Sequence, residues 1–154
     1  MSDESAIVRC DVCRQLNRVG LDRLKKEITL RCGTCKSALD IPTEPVWLKR
    51  GTFDRVIANW PETLLVEFVA SMCVHCRIID SVVKKLAHEK MGKLKVLKID
   101  TDTDEYLTQR FHIEKTPTFL LFKNGIELYR VDGAPKEKTD IEKWVENIIN
   151  FKSY

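Results

Sequence analysis

Six cysteines fall into three Cys-x-x-Cys pairs, and this limits what the chain can fold into more than any other feature. Cys10/Cys13 and Cys32/Cys35 bracket a polar segment of 18 residues, whereas Cys73/Cys76 follows the apolar run from Leu64 to Ala70. The pairs are not equivalent, so one residue type is expected to do two jobs. Thiolates either grip a metal or exchange disulfides, and spacing with local context separates the two.

The first two pairs approach the four-thiolate pattern of two knuckles set about 15 to 20 residues apart. Two residues between cysteines let the chain reverse so that both sulfurs face one ion, and Gly33 is expected to supply the backbone freedom of the turn. Four thiolates with no nearby histidine imply a closed structural site, because a catalytic zinc keeps one position open. Zinc is the expected cofactor, with no organic cofactor. Iron in a rubredoxin-like site is the rival metal, and bare disulfides or free thiols are the metal-free reading. So short a module holds little apolar material, and metal binding would provide much of its folding free energy. Leu21, Leu24, Ile28 and Leu30 fit one helical face or a ribbon strand equally well.

A boundary is expected between Ile41 and Pro45, where Pro42-Thr-Glu-Pro45 interrupts the pattern. Residues 1–44 then form a zinc-binding, ribbon-like module and residues 45–154 a domain of the commonest size. Net charge is +3, with acidic and basic residues nearly balanced on both sides of Pro45, which argues against nucleic acid as a partner. The acidic start Met1-Ser2-Asp3-Glu4 precedes no signal-like apolar run, and no stretch approaches the 18 or so apolar residues of a membrane span. A cytoplasmic location is expected. Thiols stay reduced there, so metal ligation and catalysis explain the cysteines better than structural disulfides.

Beyond the boundary the pattern predicts a strand at Val46–Leu48, a helix at Thr52–Asn59 capped by Thr52, and a strand at Leu64–Ala70. A helix follows from about Cys73 to Met91, with Ile79, Val82, Val83 and Leu86 facing inward at three- and four-residue steps. Next come a strand at Leu94–Asp100, a helix at Asp104–Phe111, a hairpin of Thr118–Lys123 with Ile126–Val131 turned at Asn124-Gly125, and a helix from Lys136 to about Ile149. Strands alternating with helices and closing on a hairpin indicate an α/β fold, a mixed central sheet with helices on both faces.

Leu64-Leu-Val-Glu-Phe-Val-Ala-Ser-Met-Cys73-Val-His-Cys76-Arg, Lys98-Ile-Asp100, Lys115-Thr-Pro117-Thr-Phe-Leu-Leu-Phe-Lys-Asn-Gly125 and Val131-Asp-Gly133-Ala together resemble the thioredoxin fold. With the four-cysteine extension the whole chain is similar to the bacterial thioredoxin 2 type of that family. The resemblance implies a protein-disulfide oxidoreductase acting on disulfide-containing client proteins and recharged by a thioredoxin reductase. It also implies a buried acid at Glu67, which would move the proton of Cys76, and a cis proline at Pro117. Met72, Val74, Thr116, Gly133 and Ala134 would complete an apolar docking surface around the sulfurs.

Cys73 would stand where unpaired N–H groups and the helix dipole favour a thiolate, which makes it the expected nucleophile. Cys76, one turn on, would resolve the mixed disulfide and be the less exposed of the two. The family's usual Trp-Cys-Gly-Pro-Cys is here Met72-Cys73-Val74-His75-Cys76. His75 can offer the Cys73 thiolate a hydrogen bond or charge, which would stabilise the reduced form and make the disulfide more oxidising than ordinary thioredoxin. Val69 and Ser81 replace a tryptophan and a helix-kinking proline usual in relatives. The zinc module is expected to be thermodynamically independent of the catalytic domain. The alternative function is a redox-sensing or partner-binding zinc protein with little turnover. His88, His112, Trp47, Trp60 and Trp144 suggest no site and read as packing or surface residues.

Overall fold

The computed structural model describes residues 4–26 and 28–151. The acidic start at residues 1–3 lies outside them. The first strands, β1 (Ser5–Arg9) and β2 (Leu16–Gly20), pair antiparallel, and a single turn, α1 (Leu21–Leu24), follows. The open choice over Leu21–Leu30 thus resolves into a short helix and irregular chain. The rest comprises β3 (Val46–Trp47), α2 (Phe53–Asn59), β4 (Thr63–Val69), α3 (Val74–Glu89), β5 (Leu94–Asp100), α4 (Glu105–Arg110), β6 (Thr118–Lys123), β7 (Ile126–Asp132) and α5 (Thr139–Ile149).

Five strands form one sheet in the order β3-β5-β4-β6-β7, with β3, β5 and β4 parallel and β6 and β7 antiparallel. β4 is central and all seven of its residues are buried, which is why it reads as an apolar run apart from Thr63 and Glu67. Its side chains alternate between two layers. Leu64, Val66 and Phe68 join Phe53 and Ile57 of α2 and Leu107 of α4. Leu65 joins Ile79, Val83 and Leu86 of α3 and Ile141 and Val145 of α5. Glu67 shares the Leu65 face and is therefore directed toward α3.

Local chemistry moves several boundaries. Thr52 does not cap α2, because its hydroxyl donates to the Lys49 carbonyl (2.5 Å) instead of accepting from the helix. α5 begins at Thr139, three residues later than the pattern suggests, because the Glu137 N–H is taken by the Asp140 carboxylate (3.0 Å) in a preceding turn. The hairpin turns where expected. Asn124 and Gly125 both have positive φ, 52° and 79°, as a two-residue turn matched to strand twist requires.

The N-terminal ribbon is packed into the buried cluster of the larger domain. Val8, Val19 and Leu30 belong to the same buried cluster as Phe53, Trp60 and Leu64, with Leu24, Leu39 and Ile41 packed against it. A two-stranded sheet has no second layer of its own, so the apolar face of β1 is buried against the larger domain. The contacts are made where β4 and β5 begin: the Ile7 N–H donates to Glu62 Oε1 (3.1 Å), and Asn59 bonds Asp11. Gly92, just before β5, has φ 84°, which strains any other residue, and a Cβ there would lie 2.6 Å from the flexible Leu24 Cδ1 and 3.3 Å from Ala6 Cβ, so the ribbon packs closely on this turn.

Candidate active site and metal centre

The third cysteine pair occupies the opposite end of the sheet, where the parallel strands stop. After β4 the chain turns through Ala70-Ser71-Met72, held by the Ser71 N–H and hydroxyl, which both donate to Asp102 Oδ2 at 2.9 Å, and by Arg77 Nη2 donating to the Ser71 carbonyl at 2.8 Å. Cys73 is the N-cap of α3. Its Sγ accepts the backbone N–H of Cys76 at 3.1 Å, so one otherwise unpaired donor of the helix start is aimed at sulfur. Cys73 and Cys76 are joined as a disulfide.

Both cysteines are 7 % exposed, so Cys76 is not the less exposed in this oxidised form. The bond draws both sulfurs into one cluster with Val69. Beside them Met72 is 86 % and Val74 61 % exposed, a bare apolar rim. His75 is exposed on the first turn of α3. The hydrogen bond to Cys73 Sγ comes from the Cys76 backbone and not from the imidazole.

The register Phe68↔Thr118↔Asp132 brings the ends of β6 and β7 to the dithiol end of the sheet. The Thr116–Pro117 peptide is cis, with Pro117 buried and Thr116 half-buried. Gly133 donates its N–H to the Pro117 carbonyl at 2.9 Å, and Ala134 is exposed beyond it.

Glu67 is fully buried, and neither carboxylate oxygen has a hydrogen-bond partner. Burial pushes its pKa from 4.5 up to about 7, opposed by Lys98 and reinforced by Asp80. As pH rises, the unfolded chain therefore ionises at this carboxyl first. Its contribution to stability is full below pH 4.5, declines by about 3 kcal/mol as pH approaches 7, and then levels off. Glu67→Gln lacks this titration, so its stability relative to wild type, read from urea unfolding, is expected to be higher at pH 8 than at pH 4.5 by about that amount. The same difference at both pH values would contradict the burial argument.

At the far end, the Sγ atoms of Cys10, Cys13, Cys32 and Cys35 lie within 4.8 Å of one another. Cys10 and Cys35 are 3.6 Å apart, as are Cys13 and Cys32. A tetrahedral ion with metal–sulfur bonds of about 2.3 Å sets its sulfurs about 3.8 Å apart, so the quartet fits such an ion. The two knuckles are near copies. Cys10 N–H donates to the Gln15 carbonyl and Cys32 N–H to the Ser37 carbonyl, both at 2.8 Å, and each first cysteine's carbonyl accepts from Arg14 or Lys36 at 3.0 Å. The left-handed residues are Arg14 (φ 69°) and Lys36 (φ 66°), so the reversal falls after each pair and Gly33 does not supply it.

Such closely spaced thiols cannot all ionise without a cation. The backbone N–H groups of Cys35 and Thr34 bring Cys32 down to about 6. The Ser37 side chain and N–H lower Cys35. Cys13 accepts from Gln15, which lowers it, yet desolvation and the other thiols push it up to about 11. A dication removes this conflict.

Three supporting groups escape a reading based on cysteines alone. Asn17 donates to Cys32 Sγ (3.5 Å) and accepts the Gly33 N–H (2.9 Å), tying β2 to the second knuckle. Arg9 and Arg31, each directly before a knuckle, donate to the carbonyls of Arg14 (3.2 Å) and Lys36 (3.1 Å). The repeated Arg-Cys-x-x-Cys-Arg/Lys was a usable signal. The remaining histidines, His88 and His112, are exposed. Trp60 is buried with its indole N–H on the Thr63 carbonyl (3.0 Å), and Trp144 lies between Phe119 and Tyr129 with its ring tilted to both. Trp47 is 56 % exposed, covered by Lys98 and not by core. Among the described residues no helix is long and apolar enough to cross a membrane.

A family model described as thioredoxin matches residues 44–147. Thioredoxin M5, chloroplastic, from Oryza sativa subsp. japonica is 35% identical over 116 residues, which cover 73% of this chain and 66% of the rice protein. Thioredoxin C-3 from Corynebacterium nephridii is 27% identical over 140 residues, 91% of this chain and 93% of that one. Among solved structures, a point mutant of the thioredoxin from Halobacterium salinarum NRC-1 superimposes with a TM-score of 0.65 at 25% identity, over 74% of this chain and 98% of its own.

Proposed function

Because the chain belongs to the thioredoxin family, we propose that it is a protein dithiol:disulfide oxidoreductase, with residues 45–154 as its catalytic domain and residues 1–44 as a zinc-binding ribbon. The observation that carries this reading is the Cys73 sulfur capping α3, with the Cys76 N–H on it and an unpartnered buried carboxyl, Glu67, on the sheet face that α3 covers.

In the reduced protein the Cys73 thiolate attacks a client disulfide. One client thiolate leaves and a mixed disulfide forms. Cys76 gives its proton to the Glu67 carboxylate and attacks Cys73. The mixed disulfide breaks, the second client thiolate leaves, and two electrons have passed from protein to client. Pro117 and Thr116, with Met72, Val74, Gly133 and Ala134, form the surface against which an extended client lies. An external dithiol, of the kind a thioredoxin reductase supplies, returns the protein to its reduced form. Zinc is the ion we assign to Cys10, Cys13, Cys32 and Cys35, where it would neutralise the thiolates and hold the two knuckles together. We place the reaction in a reducing compartment, the cytoplasm, where four unpaired ligand cysteines persist.

His75 is exposed on the first turn of α3, two residues after Cys73, and we expect it to raise the reduction potential above the roughly −270 mV of ordinary thioredoxin by stabilising the thiolate. Equilibration with glutathione reads this. His75→Ala should lower the potential by about 30 mV, equivalent to one hydrogen bond of about 1.4 kcal/mol to the reduced form. With dithiothreitol as electron source, the protein should reduce many equivalents of a disulfide-bonded test protein. A single stoichiometric burst would mark a redox sensor instead.

A further inference from the structure

Glu67 has a natural counter-charge within reach and does not use it. Lys98 of β5 is its direct register partner on the neighbouring parallel strand. The Lys98 ammonium instead bonds Asp80 of α3, and the other Asp80 oxygen pairs with Lys84 at 2.9 Å. Asp80 lies one turn beyond Cys76 on the same helix, and Lys84 one turn beyond Asp80. Lys98 is further held 5.3 Å from the centre of the Trp47 ring. Both Glu67 oxygens are left buried with no hydrogen bond.

We propose that Asp80 is a positioning residue of the dithiol site, which draws the Lys98 ammonium onto α3 and so keeps the Glu67 carboxyl unpaired beneath the resolving cysteine. This rests on Glu67 being the group that takes the Cys76 proton. The charged groups packed against Glu67 are few: Lys98 from β5 and Asp80 from α3, with Lys84 behind Asp80. Its β6 register partner is Phe119, and α5 contributes Ile141 and Val145 to this layer.

The electrostatics run the same way. Burial raises Asp80, but Lys98 and Lys84 outweigh it and hold the carboxyl below its ordinary range, so Asp80 is an anion at neutral pH. Burial raises Glu67, Lys98 pulls it down and the Asp80 charge pushes it up. A base serves best when its midpoint lies near the working pH, with enough carboxylate to accept the Cys76 proton and enough acid strength to release it before the next cycle. Were Lys98 to turn to Glu67, the carboxylate would be stabilised and would become a weaker base.

The Glu67 titration can be followed by carbon NMR of carboxyl-labelled glutamate in the oxidised full-length protein. It needs no turnover, so a failure to reduce clients would count against the oxidoreductase reading while leaving this test intact. Asp80→Asn is expected to move the Glu67 midpoint down by about one pH unit, a tenfold loss of proton affinity. Lys98→Met should move it up, Asp80→Asn with Lys98→Met should restore it to the wild-type value or above, and Asp80→Glu should preserve it. An unchanged or raised midpoint in Asp80→Asn would overturn the proposal. If that variant does not fold, a Lys98→Met midpoint that fails to rise does the same.

Discussion

Cys73→Ser should reduce client disulfides no faster than the uncatalysed background, whereas Cys76→Ser should keep the first half of the reaction and stall. The asymmetry follows from the helix start. The Cys76 N–H points at Cys73 Sγ (3.1 Å), and α3 runs 16 residues behind it, so the group stabilised as an anion is at position 73. A serine hydroxyl there ionises far too weakly to attack. With serine at 76, Cys73 still attacks, but nothing displaces the client, and the mixed disulfide accumulates at one equivalent. Single-turnover gel analysis of both variants checks this. Multiple turnovers by Cys73→Ser would remove the basis of the mechanism.

Stripping the metal should have the largest effect on stability, and the loss should not stop at residue 44. Structural zinc contributes about 10 kcal/mol or more of apparent binding free energy in small zinc modules, so the knuckles are expected to lose their fold when the ion goes. Val8, Val19 and Leu30 are at most 8% exposed and sit in the cluster with Phe53, Trp60 and Leu64. Uncovering three such side chains costs about 5 kcal/mol, comparable with the whole stability of an ordinary domain. A chelator should therefore lower the thermal midpoint of the catalytic domain as well, followed by near-ultraviolet dichroism of Trp60. A domain midpoint unmoved by chelation would mean that the shared core contributes nothing. The ribbon contacts Asn59, Glu62 and Gly92, at the end of the sheet away from Cys73, so catalysis by stripped protein that is still folded should persist.

Where the chain's own chemistry is local, the sequence was a reliable guide. The Cys-x-x-Cys spacings brought four sulfurs together, Asn124-Gly125 turned the hairpin, and an acid inside Leu64–Ala70 proved to be buried. Three features escaped, the first through an overlooked local anchor and the other two because they depend on partners distant in the chain. The left-handed knuckle positions fell on Arg14 and Lys36, where the preceding Arg9 and Arg31 anchor the carbonyls, so the glycine at 33 was a misleading cue. The apolar residues of β1 and β2 were too few to suggest a shared core, since what they cover is supplied by α2 and the start of β4. Asp80 and Lys84 look like an ordinary solvated helix pair until β5 brings Lys98 beneath them. Likewise Trp47 offers no hint in sequence that a lysine, not the core, will cover it.

The division of labour among the six sulfurs can be read in one experiment, mass mapping of the adduct that Cys76→Ser forms with an oxidised client, performed with the metal in place. The expected product is one mixed disulfide at Cys73 with Cys10, Cys13, Cys32 and Cys35 unmodified. A client attached to any of those four, or an adduct that survives when Cys73 is also replaced by serine, would contradict the account.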